Sequence, residues 1–193
     1  MSHDLILASR SPRRKMLLES LGLTLLQLPA DIPEERNPGE KPTAYVARLA
    51  REKALAVESG GHTVLAADTI VVLDNEIMEK PQDEDHALSM WSKLSGEWHQ
   101  VFTAYFLRRG SVERKATVET RVKFKDLSTP ELHSYLKTDE WKDKAGGYAV
   151  QGISGYWVEA IDGSYTNVVG LPLTQVAVDL ARLNPQWPSF PWS

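Results

Sequence analysis

Apolar residues fall along this chain in runs and stripes that predict most of its secondary structure. Leu5-Ile6-Leu7-Ala8 is a short unbroken apolar run, the pattern of a buried strand. Ser11 then offers an N-cap, and Pro12 suits the first helical position, where its missing N–H costs nothing. Met16, Leu17, Leu18 and Leu21 follow at helical spacing and predict its inner face. Leu23–Leu28 reads as a second strand, and Pro33 and Pro38 keep helix out of the stretch around Ala30–Arg36. A second helix is expected from about Thr43 to Glu58, with Val46, Leu49, Ala50 and Val57 facing inward. Val64–Leu73 is the strongest strand signal, nearly all apolar, as in a strand covered on both faces. Asp74-Asn75-Glu76 turns it back into Ile77-Met78.

Asp83 caps a third helix with Ala87, Leu88, Trp91 and Leu94 on one face and Gly96 past its end; His86 reads as surface and Trp91 as core. Strand-type alternation covers Trp98–Leu107 and Thr117–Phe124, joined by an Arg109-Gly110-Ser111 turn. Ser128-Thr129-Pro130-Glu131 has the form of a capping box, followed by an inner face of Leu132, Tyr135 and Leu136. Tyr156–Ile161 predicts a strand and Gly163–Asn167 a polar loop. Val168–Leu183 predicts a strand end and then a helix from near Pro172. Strands alternating with helices place the chain in the α/β class.

Composition narrows the function without naming it. The 193 residues, 42% hydrophobic and 25% charged, suit one globular domain or two fused lobes. A net charge of -4 argues against a general nucleic-acid binder. The chain has no cysteine, so it carries neither disulfides nor thiolate chemistry, which fits a reducing cytosol. No signal peptide and no stretch of roughly 20 apolar residues is visible, so a cytoplasmic protein without membrane partners is expected. Pro185–Ser193, rich in Pro and Trp, reads as an appendage.

Candidate chemistry clusters at a few points. Ser9-Arg10-Ser11-Pro12-Arg13-Arg14 sets three arginines and two serines at a helix start, where free N–H groups and the positive dipole end favour an oxyanion. Basic side chains in a first turn oppose that dipole, and a bound polyphosphate would compensate them; a solvated basic turn is the alternative. Lys53 falls on the apolar stripe of the second helix, so it either snorkels out or meets a negative partner. Asp68 interrupts the strongest strand, and a buried carboxylate is costly unless paired, metal-bound or functional; a structural Asp capping a neighbouring loop is the alternative. Lys80 reads either as delivered back towards Asp68 by the hairpin or as a solvent lysine, and Glu34 and Glu35 suit surface charges. In Asp143–Gly152, paired glycines let backbone approach a ligand, Tyr148 offers a ring and Gln151 an amide for a pyrimidine edge; a plain glycine-rich connector is the alternative.

In order, Ser9-x-Ser11-Pro12-Arg13-Arg14, Ala67-Asp68-Thr69, Lys80-Pro81, Asp143-Lys144-Ala145-Gly146 with Tyr148, Gln151-Gly152, and Gly163-Ser164-Tyr165 with Asn167–Leu173 resemble the Maf family of nucleoside triphosphate pyrophosphatases. The resemblance runs from about Leu5 to Leu183 and is closest to the branch acting on dTTP and UTP, with Arg13, Thr69 and Gln151 at the positions tied to that preference. Departures are Pro33 before Glu34, Glu79 before Lys80, and Gly147, Ala149 and Val150 around Tyr148. The resemblance implies a mixed elongated sheet flanked by helices, two lobes with a cleft, similar to inosine triphosphate pyrophosphatases. It implies cleavage between the α- and β-phosphates, a divalent cation (Mg²⁺ or Mn²⁺), a homodimer and a house-cleaning role. On that basis Ser9, Ser11, Arg13, Arg14, Lys53 and Lys80 face the triphosphate, Asp68 accepts a proton from water, Asp68 and Glu34 are the metal candidates, and Thr69 and Gln151 contact the base. The alternatives are a 7-methyl-GTP pyrophosphatase, a regulator of septum formation acting by protein contact, and a nucleotide sensor without turnover.

Overall fold

The computed structural model describes residues 4–183, so the Pro185–Ser193 tail lies outside the described residues. The elements run β1 (Leu5–Leu7), α1 (Pro12–Glu19), β2 (Leu25–Gln27), α2 (Pro42–Leu55), β3 (Thr63–Leu73) and β4 (Glu76–Met78). They continue with α3 (Glu84–Leu94), β5 (Trp98–Arg109), β6 (Val112–Phe124), α4 (Thr129–Leu136), 3₁₀ turns at Ala145–Gly147 and Ile153–Trp157, β7 (Val158–Asp162), α5 (Tyr165–Val169) and α6 (Leu173–Leu183). Among the described residues the strands form one seven-stranded sheet of order β2-β1-β3-β5-β6-β7, with β4 beside β3. It is mixed: β1 is parallel to both β2 and β3, pairing Leu7 with Gln27 and Leu65, whereas β3/β4 and β6/β7 are antiparallel. Asp74 and Asn75 both take positive φ, 49° and 66°, as a tight two-residue hairpin between β3 and β4 requires. No described helix is long and apolar enough to cross a membrane.

The described chain divides into two compact units, one of residues 4–68, 103–118 and 170–183, the other of Thr69–Phe102 and Glu119–Val169. In the first, β1 and the start of β3 are wholly buried, as the unbroken apolar runs predict, and Val46, Leu49, Ala50 and Ala54 of α2 are 0–1% exposed. Tyr105 of β5 donates to Asp179 Oδ2 of α6 at 2.7 Å and ties that helix down. The second unit is built on aromatics: Trp91 of α3 stands edge-on to Trp157 at 5.5 Å and tilted to Tyr135 of α4 at 5.1 Å. Trp91 is thus core, as its spacing on α3 indicates.

Several boundaries move from their predicted places. Met16 is 47% exposed, so the inner face of α1 is carried by Leu17 and Leu18. α2 ends at Leu55, with Ala56 as C-cap; Val57 is still buried, but from beyond the helix. β6 begins at Val112 rather than Thr117, because its exposed first residues carry no core pattern while the sheet pairing continues through them. Tyr165–Val169 is a short helix where a polar loop to Asn167 and a strand end from Val168 were expected: Ser164 Oγ accepts from the Asn167 N–H at 3.3 Å, and the Asn167 amide donates to Val101 O and Thr120 Oγ1 at 3.1 and 3.0 Å. The Ser164 contact is local, but the anchoring of the Asn167 amide is tertiary and leaves no periodic trace.

Candidate active site

The first unit gathers seven of the predicted residues. Ser9, 7% exposed at the end of β1, accepts from the Ser11 N–H at 3.2 Å and from Arg14 Nη1 at 3.1 Å. Ser11 caps α1 as predicted, its Oγ taking the Arg14 N–H at 3.4 Å. Gln27 of β2 donates to Ser9 O at 2.7 Å, and Arg14 Nε donates to Gly170 O at 2.9 Å. The two serines therefore shape the loop from within, and Arg14 binds it to the chain before α6. Burial lowers the Arg14 pKa most; Asp68 and Glu34 raise it through their charge, and Arg13 lowers it further. Burial also lowers Arg13. Both guanidiniums start far enough above neutrality to stay charged.

Lys53 joins the cationic and anionic halves. Its stem lies on the buried stripe of α2, and its ammonium donates to Asp68 Oδ1 at 2.6 Å and sits 2.6 Å from Glu34 Oε1. Of the two readings open for this lysine, the inward one is correct: its side chain is 11% exposed, that of Asp68 12% and that of Glu34 41%. Asp68 itself is held by β3, where its neighbours Ala66 and Ala67 are fully buried. Glu34 is more than a surface charge, because α2 fixes its loop. Tyr45 donates to Glu34 O at 2.8 Å, and Arg48 reaches Glu35 O at 2.9 Å and both Glu40 oxygens at 2.8 Å. Tyr45 and Gln27 carried no sequence signal, since each acts on backbone distant along the chain, and the i,i+4 spacing of Arg48 to Glu52 says nothing of its hold on Glu35 and Glu40. Among the described residues no group of three or more His, Cys, Asp or Glu side chains forms a metal-ligand set.

Thr69, Lys80 and Gln151 belong to the second unit. Thr69 is half-buried on β3, and Lys80 and Gln151 are exposed. The glycine-rich stretch corrects its ligand-facing reading. Gly147, at φ 66°, presses on the core: a Cβ there would stand 2.8 Å from Pro81 Cγ and 3.0 Å from Trp91 Nε1. Trp91 Nε1 in turn donates to the carbonyls of Gly146 and Gly147, both at 3.2 Å. Tyr148 offers no open ring; it is 6% exposed, its hydroxyl 2.8 Å from His99 Nε2 and its ring edge-on to Phe124. The close backbone approach is real, but it serves Trp91 packing. Burial raises the Tyr148 phenol well above its usual value and pushes the His99 imidazole down to about 4.

The family described as Maf-like protein matches residues 4–183. A dTTP/UTP pyrophosphatase of Anaeromyxobacter dehalogenans is 50% identical over 186 residues, covering 94% of this chain and 95% of that protein. One of Geobacter sulfurreducens is 50% identical over 184 residues (93% and 96% covered), and one of Escherichia coli 45% identical over 184 residues (94% and 93%). A family match that runs from before β1 to the end of α6 agrees with the motifs and with the mixed sheet: this chain belongs to the Maf family.

Proposed function

We propose that this chain is a nucleoside triphosphate pyrophosphatase that hydrolyses dTTP and UTP to the monophosphate and pyrophosphate, in a house-cleaning role. The observation that carries the reading is Lys53 held between Asp68 and Glu34 at 2.6 Å each, with both carboxylates close enough to Arg14 of the α1 start to act on its charge. Positive groups there would grip a polyphosphate, and carboxylates beside them supply an acceptor for the proton of an attacking water. In the step itself, water oxygen bonds to the α-phosphorus, the bond to the bridging oxygen breaks, Asp68 takes the water's proton and pyrophosphate leaves. Arg13, Lys53 and Lys80 offset the charge that grows on the leaving group. Arg14, committed to Gly170 O and Ser9, acts mainly by holding the loop.

The donor set fits a hard divalent cation. Asp68 and Glu34 present carboxylate oxygens that already share one cationic partner, and Mg²⁺ is commonly held by one or two carboxylates with substrate phosphates completing the shell. When bound, Mg²⁺ or Mn²⁺ would polarise the phosphoryl oxygens. Arg13, Thr69 and Gln151 select the pyrimidine, the Gln151 amide offering both a donor and an acceptor to the base edge. The same reading makes the enzyme cytoplasmic and homodimeric, without nucleic-acid or membrane partners.

The test is pyrophosphate release from a nucleoside triphosphate panel with Mg²⁺. dTTP and UTP are expected to turn over fastest. No pyrophosphate from any of them would leave a binder or regulator, and faster turnover of 7-methyl-GTP would move the chain to the other branch. Asp68→Asn keeps the shape and removes the acceptor, so turnover should fall about 10²–10⁴-fold while nucleotide binding persists.

A further inference from the structure

Gln151 is exposed, and among the described residues its side chain makes no hydrogen bond, so what the fold fixes is the place of its backbone, set by the turn that carries it. That turn is built around one carboxylate. Glu140 Oε2 accepts the Ile153 N–H at 3.0 Å, and Oε1 accepts the Ser154 N–H at 3.4 Å, the Ser154 hydroxyl at 3.3 Å and the Tyr135 hydroxyl at 2.9 Å. Ser154 Oγ closes the ring by accepting the Ala149 N–H at 2.9 Å, and the Gly152 N–H donates to Ala149 O at 2.9 Å. Both flanks of Gln151 are thus fastened to Glu140, directly at Ile153 and through Ser154 at Ala149.

Gly152 records the same closeness independently. Its φ of -104° suits any residue, yet a Cβ built on it would stand 2.3 Å from each atom of the Glu140 carboxyl group. Space, not backbone conformation, is what a side chain beside Gln151 would contend with, and the Glu140 carboxylate would have to move aside to admit one. We propose that Glu140 is a positioning residue for pyrimidine selection, holding the 149–154 turn so that the Gln151 amide meets the base. This rests on the proposal that Gln151 contacts the base. Burial raises the Glu140 pKa, but the N–H and hydroxyl donors outweigh it and leave it lowered, so the group is an ionised acceptor at neutral pH.

The experiment measures kcat, KM and the dTTP-over-dATP ratio of kcat/KM for Glu140→Gln, Gln151→Ala and the double variant, with Gly152→Ala as an independent way of displacing the carboxylate. Glu140→Gln should raise KM for dTTP and reduce the dTTP preference, each roughly tenfold, with kcat changed by less than about twofold. The double variant should be no less selective than Gln151→Ala alone, because both changes act through one contact. A Glu140→Gln protein that melts lower but keeps the wild-type KM and preference has lost only stability, and the proposal fails. Additive losses of selectivity in the double variant also overturn it. If Gln151→Ala itself keeps the dTTP preference, the base-contact reading falls first and takes this one with it, an outcome distinct from failure at Glu140 alone.

Discussion

Removing the ammonium of Lys53 with a side chain of similar length, Lys53→Met, tests the electrostatic arrangement of the site. Lys53 and Asp68 are both nearly buried, 11% and 12% exposed at the side chain, so their 2.6 Å contact is a buried pair. Deleting one member of such a pair strands the other, at about 3–5 kcal/mol. Glu34 is 41% exposed, and its contact with Lys53 belongs to the screened class worth about 0–1 kcal/mol. Arg14 lies close enough to Asp68 to offset part of the stranded charge, which sets the expectation at the low end, about 3 kcal/mol. For a chain of this size that is a fall in Tm of roughly 6–12 °C. Circular dichroism melts at pH 7 and low salt read it directly, with Glu34→Gln as the comparison, expected to shift Tm by no more than about 4 °C. A Lys53→Met loss below about 1 kcal/mol, or a Glu34→Gln loss equal to it, would refute the assignment of Asp68 as the buried partner.

Chelating the divalent cation with EDTA should stop pyrophosphate release yet leave the melting temperature of the nucleotide-free protein unchanged, because Asp68 and Glu34 already share Lys53 as a cationic partner without the metal; a collapse in Tm would make the metal structural. Gly147→Ala puts a Cβ 2.8 Å from Pro81 Cγ at φ 66°, and should cost about 1–3 kcal/mol with a change in Trp91 emission; a urea midpoint equal to wild type would contradict the packing account. Burial holds the His99 imidazole at about 4 against 6.5 for a free one, so between those values the unfolded chain binds the extra proton and stability falls as pH drops through that window, by up to about 3 kcal/mol. Urea unfolding of His99→Gln at pH 7 and pH 4.5 should show a smaller loss than wild type; an equal loss would assign the acid sensitivity to other groups.

Local signals were strong where one residue's own chemistry decides the outcome. The apolar runs of β1 and β3, the Ser11 cap, the Asp74-Asn75 turn and the third helix are short-range matters of burial pattern, capping and allowed φ, and each stands where its residues indicate. The order of the motifs was equally legible, and with it the family. Lys53 marks the limit of that legibility. Its place on an apolar stripe shows that the stem is buried, but whether the ammonium turns outward or inward depends on two carboxylates, one 15 residues away on β3 and the other in a loop. The glycines at 146 and 147 announce a close approach without saying to what, and the answer, the Trp91 indole, comes from another helix. Glu140 left no trace at all, since a lone carboxylate looks the same whether it is solvated or holds four donors. The amino-acid order therefore determined the elements, the unusual charges and the kinship, because these follow from the residues and their neighbours in the chain. Only the tertiary structure decided which charge meets which, because ion pairing and hydrogen bonding act over a few ångströms in space and are blind to distance along the polypeptide.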